Sequence, residues 1–157
     1  VSTIVDTQNK ELWIYDEYYQ RGMLTDEIYQ MYIDKGLKNA EIIADSAEKR
    51  LITEIKRKGI SNIKPSVKGQ GSIMQGVQFI QGFKIYVHPS CEHTIEELNT
   101  YTFDQDKDGN WLNKPIDENN HILDALRYSL EKFHFPRNNK TNVNIKKNIS
   151  RAKAMGL

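Results

Sequence analysis

Glu41-Ile-Ile-Ala-Asp45 and Asn119-Asn-His-Ile-Leu-Asp124 are the two stretches on which the fold of this sequence depends. The first is a short apolar run that ends in a carboxylate, which predicts a strand with Asp45 at its carboxyl end. The second begins a long amphipathic helix, predicted over residues 120–135. Because open α/β sheets bind ligands beyond the carboxyl ends of their strands, a helix that crosses this edge would bring Asp124 toward Asp45.

The remaining sequence predicts strands and helices that surround this pair. Two strands at the start are joined by a polar turn containing Asp6, and the second is apolar on both faces, which favours a central position. Thr25 and Ser72 stand where helix caps are expected. Further helices are predicted at about residues 26–35, 46–58, 72–82 and 91–100, strands at 62–65 and 83–88, and a hairpin at 101–111. We therefore predict an α/β fold with a mixed central sheet flanked by helices.

Composition narrows the class of protein. The length of 157 residues fits one domain, and the 38% hydrophobic and 27% charged content is that of an ordinary globular chain. No apolar run approaches the roughly 18 residues of a membrane span, so no membrane association is expected. Cys91 is the only cysteine, which excludes an internal disulfide and a cysteine-based zinc cluster. No signal-peptide pattern opens the chain, and a reducing cytoplasm suits it.

The charge is unevenly distributed along the chain. Residues 132–157 hold seven Lys/Arg and no Asp/Glu, whereas all 21 acidic residues precede them. We predict a basic C-terminal tail at residues 137–157, after a domain at 1–136. Such a tail is either a solvated terminus or a segment that follows a nucleic-acid backbone, where each neutralised phosphate adds salt-sensitive affinity.

Three features near the two carboxylates are candidates for binding. His121 and Tyr128 fall on the same flank of the long helix as Asp124. Lys68-Gly-Gln-Gly71 precedes a helix N-terminus, where free amides and glycines can receive a phosphate, although the spacing of a Walker loop is absent. Arg127 either reaches DNA or pairs with a neighbouring acid.

The run Asp104–Gly109 resembles the opening of an EF-hand, but Pro115 occupies the twelfth position, so a charged hairpin turn is the better interpretation.

Several motifs together resemble one known family. They are Tyr15-Asp-Glu-Tyr-Tyr19 with Gly22-Met-Leu24, Ala44-Asp-Ser-Ala-Glu48, Lys68-Gly-Gln-Gly-Ser72, the hairpin from Tyr101 to Trp111, and Asn119-Asn-His-Ile-Leu-Asp-Ala-Leu-Arg-Tyr128. In this order they are similar to the nuclease domain of the terminase large subunit of tailed bacteriophages. The resemblance covers residues 1–135.

The resemblance implies an RNase H-like fold and a metal-dependent endonuclease that cuts concatemeric viral DNA during genome packaging. Three acidic positions of the family hold Mg²⁺ or Mn²⁺: one on the first strand, one matching Asp45 and one matching Asp124, with His121 in support. Two such ions about 3.5–4 Å apart can stabilise both the attacking and the leaving oxygen of a phosphodiester. Lys68, Gly69, Gly71 and Arg127 are then candidates for contacts with DNA. The first acidic strand is expected upstream of Val1, so activity of these residues alone is in question.

The resemblance also implies partners and a place of action. They are double-stranded DNA, the ATPase domain of the same protein, the small terminase subunit and the portal, in the cytoplasm of the host cell. Two alternatives stay open. The chain could be a non-catalytic DNA-binding or packaging-motor assembly module, or another RNase H-like nuclease such as a resolvase, which the motifs match less well.

Overall fold

The computed structural model describes residues 1–67 and 69–134. Within them, strands and helices alternate after an opening pair of strands, as predicted. The elements are β1 (Ser2–Asp6), β2 (Glu11–Asp16), α1 (Thr25–Asp34), β3 (Ile42–Ala44), α2 (Lys49–Arg57), β4 (Ile63–Pro65), α3 (Ser72–Gln81), β5 (Lys84–Val87), α4 (Glu92–Thr100), β6 (Phe103–Gln105), β7 (Trp111–Pro115) and α5 (His121–His134). The predicted basic tail lies outside the described residues.

The first sheet is mixed, and β2 is its central strand, as the sequence predicts. β2 pairs antiparallel with β1 and parallel with β5. Leu12 and Ile14 of β2 are fully buried in the core. On the other face, the ring of Trp13 stacks on Tyr86 of β5, with centroids 5.5 Å apart. Apolar contacts on both faces therefore explain the central position.

The turn from β1 to β2 is held by Asp6. Its Oδ1 accepts hydrogen bonds from the backbone N–H groups of Gln8 and Asn9, both at 2.9 Å. Asp6 is thus a turn residue, as predicted, and its carboxylate is occupied by local backbone.

A second sheet consists of β3 and β4, which pair in parallel. It rests on its own cluster of buried isoleucines from α2, β4 and the turn between them, namely Ile52, Ile55, Ile60 and Ile63. β1 and β3 belong to different sheets, and a groove of about 480 Å³ lies between them. Small side chains of α5, Ala125 and Ser129, line the groove together with Lys132.

The hairpin of β6 and β7 turns at Gly109, as predicted, and Gly109 has a φ of +82° that favours glycine. Asp106 accepts hydrogen bonds from the backbone N–H groups of Asp108 and Asn110, both at 2.9 Å. This carboxylate therefore shapes a charged hairpin turn.

Helix α5 closes the domain by packing against α3, α4 and β3. Its apolar stripe, Leu123, Leu126 and Leu130, joins Leu12 and Ile14 in the main core. The helix that carries Asp124 is thus fixed by burial on several sides.

Three predicted helix starts were wrong in detail. α1 is capped at Leu24, not Thr25, because Glu27 Oε2 accepts the Leu24 N–H at 2.6 Å. α3 has Gly71 at its N-cap with a φ of +76°, so Ser72 is the first helical residue and carries no capping bond. α2 begins at Lys49, after a turn in which Asp45 Oδ1 accepts the Ala47 N–H at 2.8 Å. In the first and third cases a carboxylate accepts a backbone N–H group at the helix start, in a way that the prediction did not include.

None of the helices in the part of the chain that the structure describes is long and apolar enough to cross a membrane.

Candidate metal and DNA site

Asp45 lies immediately after β3, at the carboxyl end of the strand, as predicted. The end of β3 is tied to the end of β4 because the Ser46 N–H donates to Ser66 Oγ at 3.1 Å. Strand β3 also lies against α5. Asp45 and Asp124, although distant in sequence, are therefore carried by two neighbouring elements of the core.

Asp124 sits in the first turn of α5 and is half-buried. Its Oδ1 accepts a hydrogen bond from a terminal nitrogen of Arg127 at 2.7 Å. The Arg127 side chain is only 7% exposed. Of the two roles left open for Arg127, pairing with a neighbouring acid is therefore the one present in the structure.

Asp124 lines a cavity of about 510 Å³ between α3, α5 and the hairpin. Predicted site residues Gly69, Gly71 and Arg127 line the same cavity, as does Tyr128. Burial raises the pKa of Tyr101, another wall residue, and the negative charge of Asp124 adds to the rise. Four of the predicted residues are thus brought together around one space.

The cavity also offers groups that suit an anion. Gly71 places the N-terminus of α3 at its wall without a side-chain cap, and the following residues Ile73 and Met74 line it. Uncapped amides at a helix N-terminus carry partial positive charge. Lys114 and Asn120 complete this polar part of the wall. Lys68, the remaining predicted contact, is outside the described residues.

His121 and Asp45 are not among the described residues that line this cavity. His121 is exposed and borders a separate depression with Tyr19 and Arg21, its ring centroid 6.4 Å from that of Tyr19. The expectation of a shared flank therefore holds for Asp124 and Tyr128, while His121 lies on a neighbouring surface.

No three His, Cys, Asp or Glu side chains within residues 1–67 and 69–134 gather closely enough to hold a metal ion. Asp45 and Asp124 are the oxygen donors that hard cations prefer, and they lie on adjacent elements. The two carboxylates fit part of a metal site, and their metal-binding role stays a prediction.

Comparison with known protein families agrees with this architecture. The family model of the Terminase RNAseH like domain matches residues 1–132. The chain belongs to the terminase RNase H-like domain family. Its fold is accordingly RNase H-like, with the mixed sheet and flanking helices that the sequence predicts.

Curated relatives of this terminase domain are large subunits of terminases. The chain is 33% identical over 135 residues to the PBSX phage terminase large subunit of Bacillus subtilis (strain 168), a match that covers 85% of the chain and 31% of the relative. It is 29% identical to the large subunit of the terminase of Bacillus phage SPP1, covering 76% of the chain and 32% of the relative. The chain thus spans about a third of the length of these proteins.

Solved structures show the same likeness. The nuclease domain of g2p, the large terminase of bacteriophage SPP1, crystallised with bound Mn, matches with a TM-score of 0.77 and 25% identity over 83% of this chain and 75% of that one. The large terminase of the thermophilic bacteriophage D6E shares the fold, with a TM-score of 0.62 and 22% identity over 81% of this chain and 34% of that one.

Three buried carboxylates that organise the terminase domain were missed by the sequence reasoning. Glu97 accepts hydrogen bonds from the Ile122 and Leu123 N–H groups, both at 2.9 Å, at the start of α5. Glu131 accepts the Val67 N–H at 2.6 Å, just before the loop that contains Gly69 and Gly71. A signal was present for Glu131 and Arg127, because these charged residues interrupt the buried face of α5 at helical spacing.

Glu17 is the third of these carboxylates. It accepts the backbone N–H groups of His93 and Thr94, at 2.9 and 2.8 Å, and so caps α4. Burial by itself would raise the pKa of Glu17, but hydrogen bonds from Thr94 and His93 outweigh burial and lower it.

Proposed function

We propose that this chain is the nuclease part of a terminase large subunit, and that the protein cleaves concatemeric viral DNA with divalent metal ions during genome packaging. The proposal is carried by one observation: Asp45 directly follows β3, Asp124 lies on α5, and these two elements pack against each other. The family match and the Mn bound in the SPP1 nuclease domain support it.

Asp45 and Asp124 are proposed as ligands of Mg²⁺ or Mn²⁺. Divalent ions held by these carboxylates would supply charge neutralisation at the scissile phosphate and activation of water near neutral pH. His121, one turn before Asp124 on α5, is proposed to support the site by orienting a carboxylate or moving a proton.

The cavity beside Asp124 is proposed to receive a phosphate of double-stranded DNA. The uncapped N-terminus of α3, with Gly69 and Gly71 before it, supplies amides for this contact. Lys68 would add charge. Because these contacts address the backbone, we expect weak sequence preference. The other partners proposed are the ATPase domain of the same protein, the small terminase subunit and the portal, in the host-cell cytoplasm.

We further propose that a segment preceding Val1 fills the groove between β1 and β3 as an added strand. Among the described residues, β1 and β3 are not paired with each other, and each therefore presents an open edge to the groove. One strand between them would pair with both edges and unite the two sheets. The family's first acidic residue would then stand next to Asp45.

Replacement of Asp124 tests the proposed cleavage. In a longer version of the protein that includes the residues upstream of Val1, Asp124→Ala should abolish Mn²⁺-dependent cleavage of plasmid DNA. Asp26→Ala is a matched control, because Asp26 pairs with Lys58 on the surface and is 83% exposed. Cleavage that persists in Asp124→Ala would reject the assignment.

A non-catalytic DNA-binding or assembly module is the second candidate. It is favoured by the lack of a three-ligand cluster among the described residues. Calorimetric titration separates the two functions. Mn²⁺ binding that disappears in Asp45→Ala supports the enzyme, whereas DNA binding with no metal response supports the module. The family match favours either one over a resolvase.

A further inference from the structure

Arg127 is buried in a way that stability alone does not explain. Its side chain is 7% exposed, and its Nε has no hydrogen-bond partner in the part of the chain that the structure describes. A buried charge with an unmade hydrogen bond is costly, and apolar residues of similar size are usually at least as stable in such positions. The position therefore carries a cost that some other role must justify.

Helix α3 contains a second destabilising feature, which lies next to Arg127. Gly76 is in the middle of α3, where glycine disfavours the helix relative to alanine. A Cβ at residue 76 would clash with both Cγ and Cδ of Arg127. The absence of a side chain at Gly76 is thus what admits the stem of Arg127 between the two helices.

The buried Arg127 and the helical Gly76 together permit one contact. The guanidinium that passes Gly76 reaches Asp124 Oδ1 at 2.7 Å, and it also lies over the ring of Tyr128, with 4.9 Å between Cζ and the ring centroid. The Arg127 contact engages Oδ1 of Asp124 and not Oδ2. The contact therefore orients the Asp124 carboxylate through one of its two oxygens.

We propose that Arg127 is a positioning residue for the nuclease site: held in place by the gap at Gly76, it orients the Asp124 carboxylate for a metal ion. This inference rests on the proposed function, since it concerns the same carboxylate. It assigns Arg127 to the support of a metal ligand and not to the DNA backbone. Partners that orient metal ligands contribute about 10- to 100-fold in metal affinity or activity.

Arg127→Met is the first test, because methionine keeps much of the buried stem and removes the guanidinium. In the longer protein that includes the upstream residues, we expect Mn²⁺ affinity and kcat to fall about 10- to 100-fold while KM for DNA is unchanged. Arg50→Met is the matched control, since Arg50 pairs with Glu54 on the surface and is 90% exposed. If Arg127 contacted the DNA backbone, its substitution would instead raise KM for DNA and flatten the salt dependence of KM.

Gly76→Ala is the second test, and it leaves Arg127 chemically intact. The added Cβ must displace the arginine stem, so we expect losses of Mn²⁺ affinity and kcat similar to those of Arg127→Met, with a lower Tm. The three atoms nearest to that Cβ all belong to Arg127, and only its Cβ, at 3.8 Å, would remain in Arg127→Ala. In the Arg127→Ala background, Gly76→Ala should therefore raise the Tm and cause no further loss of activity.

The outcomes separate this inference from the function on which it rests. If the unsubstituted protein neither binds Mn²⁺ nor cleaves DNA, the proposed function fails and the inference fails with it. If that protein is active and Arg127→Met binds Mn²⁺ with unchanged affinity, only the positioning role is overturned. Additive losses in the double variant would overturn the role of Gly76.

Discussion

Removal of the Glu97 carboxylate should loosen the start of α5, the turn that carries His121 and Asp124. Glu97 is 7% exposed and accepts the N–H groups of Ile122 and Leu123 at 2.9 Å. In Glu97→Ala these donors stay buried without a partner, and the negative charge near the helix N-terminus is lost. Hydrogen bonds to a charged group contribute about 1.5–3 kcal/mol, and loss of a helix cap costs about 1 kcal/mol, so we expect a loss of roughly 2–4 kcal/mol.

Urea unfolding followed by circular dichroism measures this loss as a lower midpoint with an unchanged m-value. Glu96→Ala is the matched control, because Glu96 is the exposed neighbour on the same helix. Its stability should stay within about 0.5 kcal/mol of the unsubstituted protein. Amide hydrogen exchange at Ile122 and Leu123 should accelerate in Glu97→Ala alone. Equal stability of the two variants would refute the capping role of Glu97.

Two further predictions concern pH and the groove. Hydrogen bonds from Lys132 and Lys64 lower the pKa of Glu41 from 4.5 to about 2, so its stabilising contribution is complete above pH 4.5 and is lost as the pH falls toward 2. The Glu41 side chain is 30% exposed, so we expect it to contribute about 1–2 kcal/mol to the free energy of unfolding after allowance for solvent screening. In a pH series of urea unfolding, Glu41→Gln should reduce the loss of stability at acid pH by that amount. An unchanged acid dependence in this variant would contradict the prediction. Addition of the residues upstream of Val1 should slow amide exchange along β1 and β3, and unchanged exchange at both edges would exclude the added strand.

Much of the fold was predictable from hydrophobic spacing. The stripe of α5, the central position of β2 and the hairpin turn at Gly109 all follow from local patterns and are present in the structure. The capping roles predicted for Thr25 and Ser72 were wrong, because Leu24 and Gly71 hold the N-cap positions. Local sequence offers several donors and acceptors at a helix start, and only the folded backbone decides which of them meet.

The site was predictable in part, for a related reason. The placement of Asp45 at a strand end and of Asp124 on α5 follows from element boundaries, and both are as predicted. The pair of Arg127 with Gly76 joins two helices, and nothing local to α3 indicates that a helical glycine admits an arginine from α5. His121 likewise borders a depression with Tyr19 and Arg21, residues far from it in the sequence, and no local pattern indicates this neighbourhood.

Anomalous diffraction from a Mn²⁺-soaked crystal of the longer protein tests the central claim most directly. We predict a peak at roughly 2.1 Å from carboxylate oxygens of both Asp45 and Asp124, the distance at which small divalent cations bind oxygen. Manganese at neither residue, with the two side chains directed to separate surfaces, would contradict a shared metal site.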